Sequence, residues 1–103
     1  VRILGCDVGA FGAIAILDKD SRELVIIDMP TLKVKRGPRV VNQVDAHVLA
    51  DALRPHVDGD TKALVEKVSA MPGNGVASMF SFGRAAGIVE GVLAGLSVSF
   101  ELI

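Results

Sequence analysis

Tryptophan and tyrosine are absent from this chain of 103 residues, and phenylalanine occurs only four times. A core without large amphipathic rings must be filled by Val, Ile, Leu and Ala, which suits a sheet covered by helices. Cysteine is nearly absent as well. The lone Cys6 excludes an internal disulfide and any zinc site built on several cysteines, fits a reducing compartment, and reads as a small buried thiol. No excess of one charge is present: 11 basic residues stand against 12 acidic ones, a net charge of -1. The chain as a whole is therefore not drawn to a polyanion, and any nucleic-acid affinity must come from a local patch. Long hydrophobic runs are missing too. The longest uncharged run, Val68 to Gly83, contains Pro72 and three glycines, so no membrane span is expected there. The first apolar stretch is broken by Asp7, unlike a signal peptide. These absences lead to the expectation of one soluble, cytoplasmic domain over residues 1–103 with no membrane partner.

What is present is an ordered set of short elements. Residues 1–7 and 12–18 are apolar runs of strand length separated by a Gly9/Gly12 turn, which reads as a hairpin, and Glu23 to Met29 extends the meander until Pro30 ends it. The following TLKVKRGPRVV carries Lys33, Lys35, Arg36 and Arg39 with no acid and reads as an exposed basic loop. From Asn42 the spacing of Val44, Val48, Leu49, Ala52 and Leu53 predicts an amphipathic helix with Asn42 as N-cap, His47 on its polar side and Pro55 beyond its end. Lys62 to Val68 has strand length and β-branched residues around Glu66; a long helix is expected over Val76 to Leu96, and a last strand over Val98 to Ile103. The order β-β-β-α-β-α-β predicts an α/β fold with a mixed sheet of about five strands and flanking helices, its second half joined by right-handed crossovers.

The long helix contains Gly83, Gly87, Gly91 and Gly95 at four-residue spacing, each costing roughly 1 kcal/mol against Ala. They lie on one ridge where another backbone can come close. Two readings follow: tight packing against the helix's own sheet, or a helix-to-helix dimer contact.

Two acids stand in strands. Side chains alternate, so Asp7 shares a face with Ile3 and Gly5, and Glu66 shares one with Leu64 and Val68, which puts both carboxylates in apolar surroundings. Buried acids survive by sharing a proton or holding a cation, and carboxylates from neighbouring strands suit hard, octahedral Mg²⁺. The plainer reading is that Asp7 caps its turn and Glu66 reaches solvent or Lys67. Taken together with the glycine turn, which permits close approach to Asp7, the pair reads as a cation site.

The strand-Asp-x-Gly-turn-strand stretch GCDVGAFGAIAILD resembles the first hairpin of the ribonuclease H-like superfamily and, within it, of RuvC-type Holliday junction resolvases (crossover junction endodeoxyribonucleases). VDAHVLADALR, LVEKV with Glu66, and SFGRAAGIVEGVLAGL with its Gly-x-Ala-x-Gly wording follow in the family's order, so the resemblance covers essentially the whole chain. Val8 stands where proline is usual and Cys6 where an aliphatic residue is common. The family continues past the strand resembling VSFELI into a helical region that carries further metal-binding acids; Glu101 matches none of them, and the resemblance implies a C-terminally truncated core whose two-metal site is incomplete as it stands. It also implies catalysis at Asp7 and Glu66 with two Mg²⁺ ions (Mn²⁺ as a substitute), Asp7 bridging them and Glu66 holding one, and hydrolysis of phosphodiesters by paired nicks in a four-way DNA junction. Such resolvases act as dimers, which gives the glycine ridge a motive.

The expected DNA contacts are Lys33, Lys35, Arg36 and Arg39, gripping phosphates without reading sequence, although a solvated loop has the same charge. Arg84 faces phosphate or pairs with Glu90. Asn74, with the amides of Gly73 and Gly75, is placed to donate to phosphates. Two further readings compete. One is a non-catalytic dimerising or junction-binding module of the same fold. The other, a fragment related to actin-like ATPases, needs a second lobe that 103 residues cannot supply, and no Walker-type loop is present.

Overall fold

The computed structural model describes residues 1–69, 73 and 75–103. Strands β1 (Arg2–Asp7), β2 (Ala13–Asp18) and β3 (Leu24–Asp28) form the expected meander. A second hairpin, β4 (Thr31–Arg36) and β5 (Arg39–Val44), comes next, followed by helix α1 (Ala46–Leu53), a 3-10 turn (Arg54–His56), β6 (Lys62–Val65), helix α2 (Val76–Gly95) and β7 (Ser99–Leu102). The main sheet has the order β3-β2-β1-β6-β7, antiparallel through β1 and parallel beyond it. The fold is thus α/β with a mixed five-strand sheet.

Alternation decides which face of the sheet is covered. Leu4, Cys6, Ile14, Ile16, Ala63 and Val65 are buried and join Leu49 and Leu53 of α1 and Ala85, Ala86, Val89, Val92 and Leu93 of α2 in one core. Both helices therefore pack on the same face. The opposite face carries Gly5, Asp7, Leu17, Leu24, Ile26, Leu64, Glu66 and Glu101, all exposed; Ile26 keeps 64% of its surface in water. Helix α2 is long and apolar enough to cross a membrane by length and composition alone. Its stripe from Ala85 to Leu93 nevertheless packs in the core, as the central helix of a two-layer domain does.

The segment expected to be a basic loop is a hairpin. TLKVKR and RVVNQV pair in register around Gly37, whose φ of +58° makes the tight turn. Asn42 is consequently a strand residue opposite Lys33, and Val44, expected in a helical stripe, is buried at the end of β5. The N-cap of α1 is Asp45, whose carboxylate accepts from the Val48 amide at 3.1 Å while its own amide donates to the Pro30 carbonyl at 2.9 Å. That pair of bonds closes the hairpin's base and starts the helix together.

A two-stranded ribbon alone is marginal in water. This one is tied to α2 by side chains: Arg36 donates to Ser81 Oγ at 2.6 Å and to Gln43 Oε1 at 3.0 Å, lies 5.1 Å over the Phe80 ring, and Gln43 Oε1 also accepts from Arg84 Nε at 2.8 Å.

Candidate functional site

Asp7 is the last residue of β1, and Glu66 follows the last residue of β6. The parallel register Cys6↔Val65 continues past the strand end, since the Glu66 amide donates to the Cys6 carbonyl at 3.1 Å. Asp7 and Glu66 are therefore neighbours across one strand spacing, about 4.8 Å. Both project from the uncovered face. Cys6 and Val65, one position back, project into the core.

Apolar burial of the two acids, expected from the sequence, is not what the structure shows: both side chains are exposed, because no helix covers their side of the sheet. The desolvation cost that was to force a shared proton or a cation is thus small here. Of the plainer alternatives one is realised: Glu66 reaches solvent. Among the described residues, no hydrogen bond from Asp7 caps its turn, which the Gly12 amide closes onto the Gly9 carbonyl at 3.2 Å. Nor does Glu66 form an ion pair with Lys67 among the described residues. Two unneutralised carboxylates side by side form a local negative site.

The two glycines of the turn each meet a backbone requirement. Gly9 has φ +118°, a conformation L side chains rarely adopt. Gly12 is required because a Cβ there would collide with the carbonyl oxygen of Asp7 and lie 2.9 Å from its carbonyl carbon. The turn's glycines fix where β1 ends, and so where Asp7 stands. Beneath it, burial pushes the Cys6 thiol from 9.0 up to about 11, so Cys6 is a core thiol and no nucleophile.

Two further acids share the uncovered face, Asp28, not considered from sequence, and Glu101, which matched no ligand of the family. Asp28 lies in the same cross-strand row as Asp7, with Ala13 between them, roughly 9.5 Å away at two strand spacings. Glu101 on β7 pairs in register with Leu64, one row back from Glu66's side-chain row. Among the described residues, no group of three or more His, Cys, Asp and Glu side chains is close enough to hold a metal ion.

The basic residues do not form one patch. Strand alternation sends Arg36 and Arg39 to the face that carries Val41 and Gln43, toward α2, while Lys33 and Lys35 lie on the outer, exposed face. Arg84 bonds Gln43 and not Glu90, so it serves first as a clasp for the hairpin. Asn74 lies outside the described residues. Gly83, Gly87, Gly91 and Gly95 are all exposed, and a Cβ at any of them meets nothing within 4 Å, which overturns packing of the ridge against its own sheet. The reason is helical phase: the core takes the Ala85, Val89, Val92 stripe, leaving the glycines on the outer side.

Between the β1–β2 turn, the hairpin and the first turns of α2 lies a groove of about 920 Å³ lined by Phe11, Phe80 and Phe82 together with Arg36, Arg39 and Asn42. Sequence reasoning had not singled it out. The available signal was that three of the four phenylalanines fall in glycine-flanked stretches, Phe11 between Gly9 and Gly12, and Phe80 and Phe82 between Gly75 and Gly83.

The fold and the site define a two-layer α/β domain with an exposed acid pair at the carboxyl ends of adjacent parallel strands. No protein-family model matches the chain, and no curated protein matches it.

Proposed function

We propose that the domain is ribonuclease H-like and is the core of a cytoplasmic, Mg²⁺-dependent endonuclease that acts as a homodimer and resolves four-way DNA junctions by paired nicks. The observation that carries this reading is the in-register placement of Asp7 and Glu66 on one uncovered face, at the ends of two neighbouring strands. Two adjacent carboxylates fit the way Mg²⁺ is usually held, by one or two acids with waters and substrate phosphate completing an octahedron. When bound, the ion supplies a Lewis acid at the phosphate and a lowered pKa for its water. Asp7 and Glu66 anchor that cation, and Asp7 is held in place by the turn that Gly12 allows. The hairpin's Lys33 and Lys35 meet phosphates on its outer face, and the exposed glycine ridge offers a smooth surface for the α2 of a second copy.

The second reading is a junction-binding module without catalysis: among the described residues, no third His, Cys, Asp or Glu side chain joins Asp7 and Glu66. A labelled four-way junction separates the two. With Mg²⁺, symmetric nicks that vanish in Asp7→Asn and Glu66→Gln, while binding in EDTA persists, support the nuclease. Tight binding with intact arms at every Mg²⁺ or Mn²⁺ concentration establishes the module instead.

A further inference from the structure

The acid pair leaves the aromatic groove without a role. We propose that this groove seats unpaired nucleotides of a single DNA strand, with bases stacked on Phe11, Phe80 and Phe82 and a phosphate met by Arg39; the choice of DNA as the strand rests on the nuclease reading.

The rings are the first reason. Phe11 is 92% exposed and Phe80 60%, so neither is spent on the core, and both border the same groove. Leaving large rings in water forfeits the hydrophobic free energy that burial gives. Flat rings at a groove with a cationic rim fit the faces of bases, and such stacking is indifferent to base identity. The groove's volume, about 920 Å³, lies in the range that encloses a ligand of several rings.

The polar groups are the second. Arg36 is already engaged by Ser81 and Gln43 and holds the Phe80 ring from above, so it orients the platform. Arg39 borders the groove and has no ion-pair or hydrogen-bond partner among the described residues. The side chain of Ser78, exposed at the rim, can donate to or accept from base edges. The whole hairpin from Thr31 to Val44 carries four cations and no acid, a potential complementary to a polyanion. An apolar peptide in the groove would strand Arg39 without a counter-charge. A membrane surface calls for rings on one outward face, whereas these border a concavity. The turn carrying Phe11 begins directly after Asp7, so a strand seated here leads to the end of the sheet where the acid pair stands.

The lack of Trp and Tyr supplies the assay. Phe11→Trp places a single indole at the rim, and a short oligodeoxythymidine titrated in EDTA, where no cleavage competes, should quench it. By anisotropy of a labelled strand, Phe11→Ala should weaken single-strand binding by roughly 5- to 150-fold while leaving binding of a duplex of equal length unchanged. Phe11 is almost fully solvated, so neither variant threatens folding. An unquenched indole at saturating strand, or Phe11→Ala binding like the parent, overturns the proposal, as does an indole that responds to phosphatidylserine vesicles and not to the oligonucleotide. Quenching retained in a protein that never nicks a junction sinks the nuclease and leaves the groove; nicking by a protein whose indole ignores the strand does the reverse.

Discussion

Gly12→Ala attacks the point on which the acid pair depends. The added methyl would press on the carbonyl group of Asp7, with 2.9 Å to the carbonyl carbon, and that neighbour is backbone with no flexible end to swing aside. Relief requires the chain to move where the Gly12 amide donates to Gly9 at 3.2 Å and the Gly12 carbonyl accepts from Met29 at 3.0 Å. Overpacking of this kind costs about 1–3 kcal/mol, and partial weakening of these two bonds adds about 1 kcal/mol in all. Against a total stability of about 5–15 kcal/mol, a loss of about 2–4 kcal/mol is a large share. At about 4–8 °C per kcal/mol for a domain of this size, the melting midpoint followed by circular dichroism at 222 nm should fall by roughly 10–30 °C. Gly59→Ala is the control, because its Cβ meets nothing within 4 Å, and it should melt within about 3 °C of the parent. Gly12→Ala melting as the control does would refute the claim that this glycine is a packing necessity. On the nuclease reading, the folded fraction that remains should also lose Mg²⁺-dependent nicking, since Asp7 must shift with its carbonyl.

The exposed glycine ridge makes the opposite prediction: Gly87→Ala and Gly91→Ala should each stabilise the monomer by about 0.5–1 kcal/mol in thermal melts, and should weaken self-association in sedimentation if the ridge joins two copies. Gln43→Ala removes the shared acceptor of Arg36 and Arg84, and should speed amide exchange in β4 and β5 by roughly 5- to 30-fold as the hairpin loosens from α2. Asp18, Asp51 and Asp58 are held below the usual 3.8, the first by the Ser21 and Asp20 amides, the second by the Arg54 guanidinium and the third by the Asp60 amide. Their contribution is present above the ordinary carboxylate range and is lost as pH falls through their lowered values, so the drop in urea midpoint between neutral pH and pH of about 3 should shrink in Asp18→Asn and Asp58→Asn. Cys6, with its pKa raised from 9.0 to about 11, contributes stability below 9.0 that disappears as pH rises through about 11, and its thiol should react with a disulfide reagent only on unfolding.

Local patterns in the sequence determined most of the elements. The meander, the start of α2 at Val76 and the final strand follow from alternation, from glycine turns and from the spacing of apolar residues, all properties of a few neighbouring positions. The alternation of Leu32, Val34 and Val41 was also present, but the density of cations around Gly37 obscured it, and a loop was expected where a hairpin stands. That Asp7 and Glu66 each stand at the end of an apolar strand was legible, but alternation orders faces only within one strand, and the register of β1 with β6 put the two acids side by side.

Tertiary structure alone decided which faces are covered. Both helices settle on the side of Leu4 and Cys6, so Asp7 and Glu66 stand in water, and the phase of α2 turns its glycines outward. Docking of the hairpin on α2 gathers Phe11, Phe80 and Phe82, separated by some seventy residues of chain, around one groove. Periodicity states that a strand or helix has two sides; the choice between them depends on what total packing buries, which no short window of sequence contains.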